Sequence, residues 1–155
     1  MNESSDSHRA ALIFAIDEQR FALKLSVVER VVRAAEVTPV PRAPAILFGV
    51  LNVQGEIIPV INTRRQLGFS ERDIRPSDQF IIARAPERVV ALVADTVCDV
   101  VSVSESAVIA AEKIMPGAEF IEGVMKLEDG LVLIENLEKF LSSEEHKTID
   151  ESLKT

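Results

Sequence analysis

The chain has no tryptophan and no tyrosine, one cysteine and two histidines in 155 residues. The missing aromatics weigh against a groove for proline-rich peptides, which grips its ligand between tyrosine and tryptophan rings. The lone cysteine, Cys98, excludes an internal disulfide, and its apolar strand context predicts a small buried hydrophobe. His8 and His146 fall in stretches expected to be tails. With one distant cysteine they cannot make a zinc or haem ligand set, so no metal or cofactor is expected. No apolar run approaches the roughly 20 residues of a membrane helix, and residues 1–9 are polar, unlike a signal peptide. The expectation is a cytoplasmic protein.

Catalytic motifs are missing as well. There is no Gly-x-x-x-x-Gly-Lys phosphate cradle, since Gly49 and Gly55 flank a strand and carry no lysine. There is no Gly-x-Ser-x-Gly elbow. Carboxylates are plentiful, but Asp17, Glu18, Glu105, Glu128 and Asp129 fall in expected turns, where a solvated loop is the ordinary reading. An enzyme is therefore not expected. A net charge of −8 disfavours nucleic acid or an anionic lipid surface as the main partner. The 47% hydrophobic and 27% charged content is that of a globular protein able to bury roughly two-thirds of its unfolded surface.

What is present is a pattern written twice. Gly49-Val50-Leu51-Asn52-Val53-Gln54-Gly55-Glu56-Ile57-Ile58 recurs at 123–134 with one extra residue in the turn, and 26–32 matches 96–101. Each pair follows a hairpin-like stretch, at 12–25 and at 80–95. About ten short strands separated by turn signals make the chain all-β, and two groups of five suggest two small barrels. The first spans roughly 12–64 and the second roughly 79–135. Residues 27–34 read as a β-branched strand that can open with a helical turn capped by Ser26. Pro39, Pro41 and Pro44 exclude a regular helix in the next connection. Residues 47–53 and 56–62 form a hairpin about Gln54-Gly55, residues 63–68 one helical turn, and 120–127 with 131–135 a closing hairpin. Pro59 interrupts pairing, which suits an edge or a bulge. Asn136 caps a final helix over 136–142, leaving 1–9 and 143–155 as flexible tails. A cleft between two modules is a natural place for a partner.

The run Gly49-Val50-Leu51-Asn52-Val53-Gln54-Gly55-Glu56-Ile57-Ile58-Pro59-Val60-Ile61-Asn62-Thr63-Arg64 resembles the central motif of the CheW-like domains of chemotaxis. The Phe21-Ala22-Leu23 run, the prolines before Phe48-Gly49-Val50, residues 89–101 and the ending 123–141 agree with it. The likeness covers about 12–141, as a stand-alone domain over 10–142. It implies two intertwined five-stranded SH3-like barrels with short helices. It also implies a non-catalytic adaptor joining methyl-accepting chemoreceptors to the histidine kinase CheA. Such an adaptor binds the membrane-distal receptor tip and the CheW-like regulatory domain of the kinase, in rings that link receptors into arrays.

On this resemblance an apolar groove between barrels takes the receptor's helical tip. Val28, Val31 and Leu51 line it, and Glu29, Arg30 and Arg64 fix its edge. An internal tie is an equal alternative for Arg64, and Asn52 is expected to hold the hairpin. The kinase-facing surface is placed on Val97, Val100 and Val103, for which a core role is the competing expectation. Three positions depart from the family's habit. Arg30 stands where glutamate is frequent, Gln54 where arginine or lysine is usual, and Thr63 where leucine is usual. The competing reading of another class is a small-ligand-binding barrel, or an enzyme using the inter-barrel cleft.

Overall fold

The computed structural model describes residues 9–114 and 121–153. Eleven strands are defined there: β1 (Arg9–Ile16), β2 (Gln19–Lys24), β3 (Val28–Arg33), β4 (Leu47–Val53), β5 (Glu56–Ile61), β6 (Gln79–Arg84), β7 (Val89–Ala94), β8 (Thr96–Val103), β9 (Val108–Ala110), β10 (Ile121–Leu127) and β11 (Gly130–Glu135). Three helices accompany them: α1 (Thr63–Leu67), α2 (Ala111–Ile114) and α3 (Ser143–Ser152). The protein is mainly β, with two mixed sheets. Six strands pair in the order β8-β1-β2-β11-β10-β9 and five in the order β3-β6-β7-β5-β4.

The strands are not shared out as 12–64 and 79–135. Contacts divide the chain into one unit of Met1–Val28 with Asp95–Phe140 and another of Glu29–Ala94 with Leu141–Thr155. Each sequence repeat supplies a hairpin, a strand and a second hairpin, and the first hairpins have changed places. Hairpin β1–β2 joins the β10–β11 hairpin of the second repeat through a parallel pairing of β2 with β11 (Leu133 opposite Phe21). Hairpin β6–β7 joins β4–β5 through a parallel pairing of β5 with β7 (Val60 opposite Ala91). Parallel pairing is long-range, so local turn signals do not reveal it.

Burial follows from these positions. The central strands β6 and β7 read as nearly continuous apolar runs, as strands covered on both faces must. In the second unit Leu51, Ile58, Val60, Phe80, Ile82, Ala91 and Val93 form one core cluster. In the first unit Ala11, Ile13, Ala22, Met125, Val132 and Ile134 form another. Each fully buried large aliphatic or aromatic side chain contributes about 1.5–3 kcal/mol. Pro59 lies just before β5 gains β7 as its second neighbour, where its missing N–H is tolerated.

Two turns set the β4–β5 hairpin. Gln54 (φ 52°) and Gly55 (φ 91°) are both left-handed, the two-residue turn whose twist matches the strands it joins. Asn52 Oδ1 accepts the Gly55 N–H at 2.8 Å and so holds the turn as expected. At Gly49 (φ 153°) a Cβ would sit 2.2 Å from the Thr38 carbonyl oxygen, so only glycine permits the bridge between Thr38 and Val50.

Three expectations are corrected. Residues 143–152 are helix α3, started by a capping box in which Ser142 Oγ accepts the Glu145 N–H and Glu145 Oε1 accepts the Ser142 N–H. The 136–142 helix is reduced to a 3-10 turn, Leu137–Lys139, with Asn136 still capping it. Cys98 is exposed, because β8 lies at the edge of its sheet and none of its positions is fully buried. The expectation for His8 concerns a residue outside the described ones.

Candidate functional site

The receptor-facing residues named from the sequence start on β3, at one edge of the five-stranded sheet. Val28 and Val31 are half-buried, whereas Glu29 and Arg30 are exposed, as the short edge position allows. Glu29 Oε2 pairs with Arg84 Nη2 on the neighbouring strand at 2.6 Å. Arg30 Nη2 donates to Gln54 Oε1 at 3.4 Å, which brings β3 to the tip of the β4–β5 hairpin. Two of the three positions that depart from the family's habit thus meet each other.

The third departure is internal. Thr63 is fully buried at the start of α1, where its Oγ1 accepts the Val93 N–H at 2.9 Å. Leucine offers no acceptor for that N–H, so threonine here serves packing of the second unit. Asn62 caps α1 by accepting the Arg65 N–H at 3.2 Å and also donates to Glu71 at 3.0 Å. Arg64 donates to the Ser70 carbonyl at 2.9 Å, an internal tie across the end of α1.

Leu51 does not line a surface. It is 4% exposed, faces Ile58 across the hairpin and belongs to the core of the second unit. The signal was in the strand, where Leu47, Gly49 and Leu51 alternate inward. On the outer face of the same hairpin Ile57, opposite Asn52, is 57% exposed, and it escaped the sequence reading.

The valines expected from the sequence to face the kinase lie on β8. Val100 is 47% exposed, Val97 is half-buried, and Val103 packs partly onto the core of the first unit. Val103 also lines a cavity of about 250 Å³ with Ala11, Val108, Ile134, Lys24 and Glu122. The last two close its rim as an ion pair at 3.2 Å. The second unit holds an open cleft of about 460 Å³ along Val37, Phe48, Ile74 and Pro76, with Glu36, Asp73 and Arg75 at its margin.

Charged groups the sequence did not single out hold the scaffold. Asp78 is 1% exposed and forms a two-pronged pair with Arg72, both bonds at 2.9 Å. Burial opposes its ionisation, but the Arg72 guanidinium and the Arg75 N–H outweigh burial and hold its pKa below the ordinary carboxylate value. Glu135, at the end of β11, is the opposite case. It is 2% exposed, neither carboxyl oxygen has a hydrogen-bond partner, and burial pushes its pKa up to about 8. His146, placed in a tail by sequence, is buried on α3. Its Nδ1 accepts from Arg88 Nε at 3.1 Å, and Nε2 lies 3.2 Å from Glu87; Arg88 also reaches Asp150.

No group of three or more His, Cys, Asp or Glu among the described residues is placed to hold a metal ion. Among them, too, no helix is long and apolar enough to cross a membrane. What the surface offers is a β edge, a hairpin tip and exposed aliphatics, which suit contact with another macromolecule.

Known proteins are similar to this chain in sequence and fold. The family model described as CheW-like domain matches residues 10–145. "Chemotaxis protein CheW" of Rhizobium meliloti is 28% identical over 141 residues, covering 90% of this chain and 91% of the relative. "Chemotaxis protein CheW" of Thermotoga maritima is 29% identical over 130 residues, covering 84% and 85%. Among solved structures, scaffolding protein TtCheW from Thermoanaerobacter tengcongensis shares the fold. Its TM-score is 0.80 at 24% identity, covering 87% of this chain and 93% of that one.

Proposed function

The chain belongs to the CheW-like domain family, and from that membership we propose that it is a chemotaxis adaptor coupling chemoreceptors to a CheA-type histidine kinase. The single observation that carries this is the extent of the match. The family domain fills residues 10–145, and the Rhizobium meliloti relative is matched over nearly its whole length. No catalytic step is assigned to the chain; it works by holding two partners at once.

In this reading β3 and the β4–β5 hairpin meet the receptor tip through Val28, Glu29, Arg30 and Val31. A helical tip presents ridges of side chains that suit half-buried valines flanked by polar fixings. The β8 face, with Val97 and the exposed Val100, meets the regulatory domain of the kinase. Val103 supports that strand from below. The protein is recruited from the cytoplasm to membrane-associated receptor arrays, where modest individual contacts gain strength by multivalency. Arg64, tied to Ser70, shapes the receptor face through α1.

Co-sedimentation with a receptor signalling-tip fragment and with the kinase regulatory domain from the same genome tests the proposal. Binding of both, with Val100→Asp selectively losing the kinase domain, is the expected result. Binding of neither, together with a large thermal shift on a small metabolite, would replace the adaptor by a ligand-binding protein.

A further inference from the structure

We propose that the cavity of the first unit is a binding site for a small aliphatic α-amino acid, held as a zwitterion between Lys24 and Glu122. Such a site is independent of the adaptor role. The cavity encloses about 250 Å³, and Ala11, Val103, Val108 and Ile134 line its interior. It lies where the six-stranded sheet runs out. β8 and β9 are the two edges of that sheet, and Val103 and Val108 are the last residue of one and the first of the other. The mouth of a small β-barrel is a common seat for a compact ligand. The volume equals the share of about eight water molecules in the liquid. Valine and leucine have close to that number of non-hydrogen atoms, whereas a nucleotide is far too large.

The duplicated sequence shows how this unit differs from its twin. Gly49 and Gly123 are matching positions of the two repeats, and each faces a valine. A Cβ on Gly49 would lie 2.9 Å from Val37 Cγ1, and one on Gly123 2.8 Å from Val108 Cγ1. The residue before each glycine is therefore equivalent as well. In the second unit it is Phe48, which packs against the core and lines the open cleft there. In the first it is Glu122, which instead meets Lys24 Nζ at 3.2 Å on the cavity rim. These two side chains stand on β10 and β2, on either side of β11 and its Ile134. They are 38% and 42% exposed, so their pairing adds little to the fold and is cheap to open. A lone carboxylate entering the cavity would be repelled by Glu122, and a lone amine by Lys24. A zwitterion satisfies both: its carboxylate takes the lysine, its ammonium the glutamate, and its side chain enters the apolar interior.

The experiment titrates the full chain with free L-leucine and follows the methyl signals of Val103, Val108 and Ile134 by nuclear magnetic resonance. Saturable shifts at those methyls are the expected result. N-acetyl-leucine, which lacks the ammonium, and leucine methyl ester, which lacks the carboxylate, should each bind about tenfold more weakly or worse. Lys24→Gln and Glu122→Gln should each lose about tenfold in leucine affinity with thermal unfolding unchanged. Glu122→Phe, which gives this repeat the residue of the other, should abolish binding. The absence of saturable shifts overturns the site, as does equal binding of leucine and its two blocked forms, or unchanged affinity in both glutamine variants. Kinase-domain binding measured in parallel keeps the two readings apart. If Glu122→Phe loses the kinase domain while leucine has no effect on the wild-type chain, the cavity is a contact for protein; the site falls and the adaptor reading stands. If leucine binds as expected while receptor tip and kinase domain do not, the site stands and the adaptor reading falls.

Discussion

Replacing Glu135 by glutamine should make the protein more stable as the pH rises, and the size of the gain can be worked out in advance. The ordinary pKa is 4.5, and full burial without a hydrogen-bond partner raises it to about 8 in the folded chain. Below pH 4.5 the carboxyl is neutral in both folded and unfolded states, so its contribution is constant. Between 4.5 and 8 the folded state holds a proton that the unfolded chain releases. The folded state then binds more protons, and stability falls with pH by about 1.4 kcal/mol per unit. Above pH 8 both forms are ionised and the loss levels off. Glutamine does not titrate, and every other group is common to both proteins. From pH 5 to pH 7 the stability difference between variant and wild type should therefore grow by roughly 2–3 kcal/mol in the variant's favour. Without tryptophan or tyrosine the transition is followed by far-ultraviolet circular dichroism. At about 1–3 kcal/mol per molar urea the midpoints should separate by about 1–3 M over that interval. Parallel pH profiles for the two proteins would show that Glu135 is not the buried, unpartnered acid described here.

Four further outcomes are expected. Asp78→Asn, which takes the Asp78 carboxylate away from the half-buried Arg72 guanidinium, should cost on the order of 3 kcal/mol at pH 7 in chemical denaturation. Because the pKa of Asp78 is lowered on folding, its stabilisation is present above the unfolded value and fades as pH falls through the folded one, so the difference between the two proteins should narrow in acid. Gly49→Ala should lose about 2–4 kcal/mol through collision with the Thr38 carbonyl, whereas Gly68→Ala, with open space around it, should lose less in the same assay. Arg88→Ala should raise amide exchange along Ser143–Ser152 before it affects β6 and β7, since Arg88 is the anchor between the β6–β7 turn and α3.

Local chemistry made much of this structure legible. Gln54-Gly55 announced its hairpin, Asn52 its support, and Asn136 its cap, because each acts on neighbours a few residues away. The exchange of hairpins was hidden, since nothing in 12–25 states that β2 will lie beside β11. Helix α3 had a readable sign in Ser142-x-x-Glu145 but a mostly polar sequence; among its described side chains His146 and Ile149 turn fully inward. Leu51 and Cys98 fail in opposite directions for one reason. An apolar stretch says that a strand exists, while its place in the sheet decides which side chains are covered. At the face proposed for the receptor the residue types were visible in the chain, but the meeting of Arg30 with Gln54 needed coordinates.

The order in which strands enter the two sheets also sets the order in which they can be finished on the ribosome. β3 to β7 are consecutive, so the five-stranded sheet can close while the remainder is still being translated. The β1–β2 hairpin emerges first, yet it must wait for β8 and β11 on its two sides while that entire other sheet is made. During that interval Phe14, Phe21 and Leu23 have no finished interior to enter, so this hairpin is the stretch of nascent chain whose apolar surface stays open longest.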